Sequence, residues 1–126
     1  MDYAPLIAKA LEMKQAAYAP YSHFAVGAAV LGESGRIYGG ANVENASYGA
    51  TVCAERAAIF AAVNAGERQL KAIAVTETPC GVCRQVMREF ADPKTFEIIV
   101  AKSPVDFRVF TLEELLPESF GPEALA

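Results

Sequence analysis

Two short cysteine-containing blocks place the tightest constraint on how this chain can fold. Cys53 opens the first block, and Cys80 and Cys83 stand in the second, directly after Pro79. Both blocks fall where the apolar pattern predicts that a helix begins, with one helix and one strand between them. A single crossover of that length can bring two helix starts side by side at one sheet edge, where open α/β sheets bind ligands. One helical turn also aims the sulfur atoms of Cys80 and Cys83 the same way.

The apolar pattern alternates between helical and extended segments. Residues 3–18 have helical spacing that ends before Pro20, and two extended runs, 24–31 and 36–44, predict a β-hairpin. The rest of the chain predicts helix, strand, helix, two strands and a short final helix that starts with a capping box at Thr111. These later segments cover residues 53–64, 70–76, 80–90, 96–101 and 106–110, and residues from 111 onward.

This order predicts one α/β domain over residues 1–126, with three layers (α/β/α) and a mixed sheet of about five strands. Strands joined through a helix are expected to be parallel neighbours. The Gly39–Gly40 pair indicates a bulge or the close approach of another backbone. Small residues in the second helix would allow either tight packing on the sheet or close contact between subunits: Ala54, Ala57, Ala58, Ala61 and Ala62.

Composition and charge exclude several classes of protein. With 53% hydrophobic and 21% charged residues, the chain is typical of a globular protein. Its formal net charge of -4 argues against a nucleic-acid polymer as partner, because such binders usually carry a basic patch. No apolar run approaches the roughly 18 residues of a membrane span, and charges interrupt the segment where a signal peptide would lie. We therefore expect a cytoplasmic protein whose cysteines are thiols or metal ligands.

Three converging thiolates would bind zinc and leave its fourth position open, which is the pattern of catalytic zinc sites. The only histidine, His23, lies in another segment and is expected at the surface. Glu55 stands two residues after a ligand and could accept a proton, while Arg56 or Arg84 could hydrogen-bond to the thiolates. Plainer interpretations stay open: a structural zinc site or buried thiols, a surface role for Glu55, and an ordinary salt bridge for Arg56.

The combined pattern Cys53-x-Glu55…Pro79-Cys80-x-x-Cys83 is the all-cysteine form of the signature of zinc nucleobase deaminases. Further stretches extend the similarity over nearly the whole chain. They are residues 18–29 (YAPYSHFAVGAA), 42–49 (NVENASYG), 53–56 (CAER), 79–85 (PCGVCRQ) and 114–121 (ELLPESFG). On these residues the chain resembles the short, homotetrameric type of cytidine deaminase.

The resemblance implies one zinc ion per chain on Cys53, Cys80 and Cys83, with Glu55 shuttling protons. It implies hydrolysis of cytidine or 2′-deoxycytidine to the uridine counterpart and ammonia, in pyrimidine salvage, by a homotetramer whose active sites are shared between subunits. It also implies six substrate contacts: Asn42 and Glu44 on the ribose hydroxyls, Phe24 beside the sugar or base, the backbone near Ala46 at the base edge, Tyr48 shaping the site, and Phe120 stacking on the base from a neighbouring subunit.

Other interpretations of these residues stay open. Asn42 could be a strand-end amide, Glu44 a solvated charge, and Phe120 could pack on its own subunit. The connection from Val75 to Pro79 is shorter than in most relatives, which bears on substrate preference. The rival functions are a deaminase of another small aminopyrimidine, such as a cytosine-containing nucleoside antibiotic; a non-catalytic, zinc-stabilised binding module; and, more distantly, an enzyme that edits nucleic-acid polymers.

Overall fold

The computed structural model describes residues 1–125, and the predicted order of helices and strands is confirmed. The elements are α1 (Ala4–Lys14), β1 (Gly27–Gly32), β2 (Ile37–Ala41), α2 (Ala54–Asn64), β3 (Leu70–Val75), α3 (Gly81–Phe90), β4 (Glu97–Ala101), β5 (Phe107–Thr111) and α4 (Leu112–Leu115), with short 3₁₀ turns at Tyr48–Ala50 and Pro122–Ala124. The predicted capping box at Thr111 is formed with Glu114. None of the helices in the described chain is long and apolar enough for a membrane crossing.

The five strands form one mixed sheet in the order β2-β1-β3-β4-β5. The β3–β4 pair is parallel, as expected for strands joined through α3, and the other pairs are antiparallel. The expectation of parallel neighbours is wrong for β2 and β3, which α2 joins, because β1 lies between them. The physical reason is that β1 is apolar on both faces and is buried almost throughout, so it occupies an interior position and leaves β2 at the edge.

Helices cover both faces of the sheet, so the predicted three-layer architecture is confirmed. α1 packs on one face, against small side chains such as Ala29, Ala72 and Ala74. α2 and α3 pack on the other face, where larger side chains such as Ile73 and Ile98 fill the core. Because side chains alternate along a strand, each buried strand supplies both layers.

Glycine at position 40 lets α2 approach the sheet closely. A Cβ atom there would lie 2.3 Å from the backbone nitrogen of Ala58 and 2.8 Å from the carbonyl oxygen of Ala54. The Gly39–Gly40 pair predicted either a bulge or the close approach of another backbone. β1 pairs with β2 without a bulge, so the close approach is what the structure shows. Ala54, Ala58 and Ala62 are fully buried in this contact, whereas Ala61 is exposed.

The helices α2 and α3 begin at the same edge of the sheet. β2 and β3 are both antiparallel to β1, so they run in the same direction, and each leads toward the start of one of these helices. Cys53 is the N-cap residue of α2 and Cys80 that of α3, both with extended backbone. The crossover predicted from the cysteine spacing is therefore present.

Away from this edge, Glu67 ties the β1–β2 turn to the connection that precedes β3. Its buried carboxylate accepts hydrogen bonds from the backbone nitrogen of Ser34 (3.3 Å), from the Ser34 hydroxyl and from the Tyr38 hydroxyl (2.8 Å). The hydrogen bond from the Ser34 side chain, followed by that from Tyr38, holds the pKa of Glu67 below its ordinary value.

Replacing Glu67 with glutamine is expected to lower Tm at neutral pH. Because the pKa is lower in the folded chain, the stabilisation is present above the unfolded pKa of about 4.3 and is lost as the pH falls through the folded value. Thermal unfolding followed by circular dichroism should therefore show a Tm difference that narrows below about pH 4. Glu33→Gln, at an exposed carboxylate in the same turn, is the control. A difference that stays constant down to about pH 3 would contradict this account.

Candidate metal centre and active site

The three cysteine thiols converge where α2 and α3 begin. The Sγ atoms of Cys53 and Cys80 are 3.9 Å apart, those of Cys80 and Cys83 are 3.5 Å apart, and all three lie within 4.8 Å of one another. Tetrahedral zinc with Zn–S bonds of about 2.3 Å separates its sulfur ligands by roughly 3.8 Å. The donor set and its spacing therefore fit one zinc ion without rearrangement of the backbone.

The surroundings shift the pKa values of two of the thiols, those of Cys80 and Cys83, in opposite directions. Burial, followed by the nearby Glu55 carboxylate, raises the pKa of Cys83. Burial also raises the pKa of Cys80, but its hydrogen bonds with the backbone and side chain of Cys83, with the side chain of Cys53 and with the backbone of Val82 together outweigh burial. The pKa of Cys80 therefore lies below its ordinary value. A divalent cation among the three sulfurs would favour the thiolate form of each. The helix N-termini add positive partial charge.

Of the two arginines proposed to contact the thiolates, Arg56 does so. Its Nη2 atom donates to Cys53 Sγ at 3.6 Å and to the carbonyl oxygen of Thr51 at 3.2 Å. The hydrogen bond to Cys53 raises the pKa of Arg56, so the guanidinium stays charged. Arg84 instead donates to the carbonyl oxygens of Pro79 and Leu115, at 2.9 and 2.8 Å.

Glu55 lies in the first turn of α2 and is only 4% exposed. This burial excludes the alternative of a surface charge. Burial is also the main cause that raises the pKa of its carboxyl group, because desolvation penalises the charged form. A carboxyl group with this environment, next to a candidate metal site, is suited to proton transfer.

A cleft of about 250 Å³ opens over the thiols and Glu55. It brings together six of the predicted site residues, and Cys83 lies buried beside it. The residues that line the cleft are Ser22, Phe24, Val26, Asn42, Glu44, Thr51, Cys53, Ala54, Glu55, Glu77, Thr78 and Cys80.

Asn42 and Glu44 lie just beyond the end of β2, where the chain continues in an extended form. The carbonyl of Asn42 accepts from the backbone nitrogen of Tyr18, and the backbone nitrogen of Glu44 donates to the carbonyl of Tyr18. The helix α1 was predicted to extend to Tyr18 but ends at Lys14, because the backbone of Tyr18 pairs with this segment instead of continuing the helix. Both side chains line the cleft, as expected for residues two apart on an extended chain.

The Asn42 side chain also forms hydrogen bonds with the backbone of the segment before β1, as a strand-end amide does. Its Oδ1 atom accepts from the backbone nitrogen of Val26 at 2.9 Å, and its Nδ2 atom donates to the carbonyl of Phe24 at 2.9 Å. Because these bonds occupy the backbone of residues 24–26, β1 begins at Gly27 and not at the predicted Phe24. The Asn42 amide nitrogen carries two hydrogens, and one of them is donated to the carbonyl oxygen of Phe24.

Glu44 is not a freely solvated charge. Its carboxylate accepts from the backbone nitrogens of Tyr21 and Ser22, at 3.0 and 3.1 Å, and from the Ser22 hydroxyl. These bonds, that from the Ser22 side chain first, hold the pKa of Glu44 below its ordinary value. His23, in the same turn, is exposed as predicted and adopts a left-handed φ of 59°.

Three of the six predicted substrate contacts lie outside the cleft of their own chain. Ala46 is exposed, Tyr48 is 77% exposed and Phe120 is 60% exposed. Tyr48 pairs edge-on with Tyr21 and borders an adjoining cleft that also includes Glu44. A single chain therefore assembles the metal ligands, Glu55 and the residues assigned to the sugar, and leaves these three at the surface.

Comparison with known proteins identifies the family. The family model for the cytidine and deoxycytidylate deaminase zinc-binding region matches residues 2–99. This chain belongs to that family.

Relatives of the deaminase cover its full length. It is 45% identical to a cytidine deaminase from Halalkalibacterium halodurans, over 98% of this chain and 97% of the relative. It is likewise 45% identical to one from Sporosarcina psychrophila, over 100% of this chain and 96% of the relative. The crystal structure of a cytidine deaminase from Burkholderia pseudomallei superposes with a TM-score of 0.88 at 45% identity, covering 95% of this chain and 100% of the other.

The deaminase cleft also includes residues that sequence reasoning did not assign, among them Ser22, Thr51, Glu77 and Thr78. Ser22 lies in the YAPYSHF stretch at residues 18–24, two positions before Phe24. Its place in this family-like stretch could have identified Ser22 as a cleft residue. Glu77 and Thr78 belong to the short connection before Pro79, which forms part of the cleft wall. The alignment with the Sporosarcina psychrophila enzyme spans 132 positions against 126 residues here, so the relative has residues without a counterpart in this deaminase.

Removing the guanidinium of Arg56 is expected to weaken zinc binding. Arg56→Ala deletes the hydrogen bond to the Cys53 sulfur, and the loss of such a supporting partner typically lowers metal affinity about 10–100-fold. Competition with a chromogenic chelator measures the affinity directly. Arg36→Ala, which removes an exposed guanidinium beside the β1–β2 turn, is the matched control. Equal zinc affinity in the two variants would show that the contact with Cys53 does not support the metal.

Proposed function

We propose that this deaminase hydrolyses cytidine and 2′-deoxycytidine to uridine and 2′-deoxyuridine, with release of ammonia. The observation that carries the proposal is the juxtaposition of three thiols within 4.8 Å of one another and a buried glutamate in one cleft. A structural zinc site normally has four protein ligands, whereas three leave a position for the reacting water.

Cys53, Cys80 and Cys83 would hold the zinc ion. When bound, zinc supplies Lewis-acid chemistry that lowers the pKa of water and makes it nucleophilic near neutral pH. Arg56 offsets the negative charge of three thiolates through its hydrogen bond to Cys53.

Glu55 performs the proton transfers. Its carboxylate accepts a proton from the attacking water and passes it to ring nitrogen N3 as the water oxygen adds to C4. Glu55 then accepts the second proton of that water from the C4 hydroxyl and delivers it to the C4 amine. The bond between C4 and the amine nitrogen breaks, ammonia leaves, and the C4 carbonyl of the uridine product forms. Burial of Glu55 favours the neutral form that exists between these transfers, because a charged carboxylate is poorly solvated there.

Asn42, Glu44 and Phe24 bind the sugar end of the substrate. The second Nδ2 hydrogen of Asn42 donates to a ribose hydroxyl, and the Glu44 carboxylate accepts from one. The Phe24 ring is 54% exposed and lies along the cleft, where it offers an apolar surface to the sugar or base. The Glu44 carboxylate at the sugar end of the cleft favours an uncharged nucleoside over a phosphorylated one, because like charges repel.

The active form is a homotetramer in which subunits share their sites. Phe120 stacks on the base in the site of a neighbouring subunit, which accounts for its position outside the cleft of its own chain. The backbone near Ala46 meets the base edge, and Tyr48, which borders the adjoining cleft with Glu44, shapes the site. Two large exposed aromatic rings are typical of surfaces that another protein covers.

The enzyme works in the cytoplasm, in pyrimidine salvage. Three cysteines that serve as metal ligands suit a reducing compartment, where thiols are maintained. A net charge of -4 favours a small uncharged substrate over a nucleic-acid polymer.

Glu55→Gln is expected to keep zinc and lose turnover. The amide has nearly the shape of the carboxylate but cannot accept and return a proton, and general acid–base groups contribute typically 10²–10⁴-fold to the rate. Loss of the cytosine absorbance band measures kcat, and elemental analysis measures zinc. Glu113→Gln, at an exposed carboxylate on α4, is the control. A zinc-loaded Glu55→Gln enzyme with native turnover would overturn the proposed role of Glu55.

A further inference from the structure

Two side chains of α3, Gln85 and Arg88, form hydrogen bonds with the segment that follows α4. Gln85 Nε2 donates to the carbonyl oxygen of Phe120 at 2.9 Å. Arg88 Nε donates to the Ser119 hydroxyl at 2.8 Å, and Arg88 Nη2 forms an ion pair with Glu123. Arg88 is therefore bonded on both sides of Phe120, and its charged side chain is only 11% exposed.

Gly121 provides the space in which the Arg88 guanidinium lies. A Cβ atom at this position would be 2.4 Å from Arg88 Cζ and 2.5 Å from Nη1. The φ of Gly121 is -141°, which any residue adopts, so the glycine is needed for space and not for backbone freedom.

This fastening has a consequence for the ring of Phe120. Ser119, on one side of it, is hydrogen-bonded to Arg88, and Gly121, on the other side, lies against the Arg88 guanidinium. The Phe120 carbonyl accepts from Gln85, yet the ring itself is 60% exposed. A rigid backbone that presents a large apolar ring outward loses little conformational entropy when that ring is covered. Cys80, one of the three candidate zinc ligands, is the N-cap residue of the helix that carries Arg88.

We propose that Arg88 is a positioning residue: by clamping Ser119, Gly121 and Glu123, it aims Phe120 into the active site of a second copy of this chain. The inference rests on the proposed tetramer with shared sites. It adds that α3 serves two sites, because its first turn binds the metal of one site and its last turn orients the aromatic ring that covers another.

The first test compares the kinetics of four variants: Arg88→Ala, Gly121→Ala, Phe120→Ala and the control Arg36→Ala. Arg88→Ala removes the clamp, and Gly121→Ala displaces the guanidinium without a change of charge. Both are expected to raise KM for cytidine about tenfold with little change in kcat, because stacking on the base is binding that ground and transition states share. Arg36→Ala is the charge-matched control. Native KM in both clamp variants, with a raised KM in Phe120→Ala, would overturn the role of Arg88 and leave the proposed function standing.

Mixed tetramers give a readout that a merely structural role would not change. In a hybrid of Arg88→Ala and Glu55→Gln chains, sites with an intact Glu55 can receive Phe120 from a chain with an intact Arg88. The expected result is a fraction of sites with native KM, although the Arg88→Ala parent has a raised KM and the Glu55→Gln parent is inactive. If every active site in the hybrid keeps the raised KM, Arg88 acts within its own chain and the proposal fails.

A spectroscopic measurement reports on the ring itself. The chain contains no tryptophan, so Phe120→Trp introduces a single tryptophan, whose emission lies at longer wavelength than that of the tyrosines. With Arg88 present, we expect blue-shifted emission that the product uridine quenches; adding Arg88→Ala should shift the emission to the red and abolish the quenching. Identical spectra with and without Arg88 would overturn the positioning role. Solvent-exposed emission in the assembled enzyme with Arg88 present would overturn the proposed shared site instead.

Discussion

The close packing of α2 on the edge strand β2 determines the position of the whole site. This packing is possible because position 40 has no side chain: a Cβ there would lie 2.3 Å from the helix backbone. With buried alanines facing the sheet, α2 begins beside the end of β2, so Cys53 and Glu55 lie next to Asn42 and Glu44 in one cleft. The second helix start joins them because β3 runs in the same direction as β2 and leads into Cys80.

Bringing three thiols and a carboxyl group together in a partly buried place is electrostatically costly without a cation. Burial and the neighbouring Glu55 raise the pKa of Cys83, and burial raises that of Glu55. Two helix N-termini and Arg56 favour the thiolates, and a divalent ion would neutralise two of their three negative charges. The arrangement is therefore intelligible as a metal site, and the buried glutamate beside it as the group that moves protons.

Much of this was predictable from the sequence, because short motifs encode local chemistry. The cysteine spacing predicted the convergence of the thiols, and the apolar pattern predicted the order of helices and strands. Pattern alone did not predict that β1 separates β2 from β3, since strand order depends on burial of both faces. The double use of Asn42, as a backbone partner and a cleft residue, was equally invisible because it depends on tertiary hydrogen bonds. Tyr48 and Phe120 lie outside the cleft that holds the cysteines, so the roles that the resemblance implies for them stay predictions.

The central claim is that catalysis depends on one metal ion held by the three thiols. The most direct test is to strip the purified enzyme with a chelator, add zinc back in measured amounts, and follow the cytosine absorbance band at each step. The account predicts that deamination stops in the stripped enzyme and returns in proportion to zinc, with a plateau at one ion per chain. Turnover that persists without metal, or no turnover at one bound zinc per chain, would contradict it.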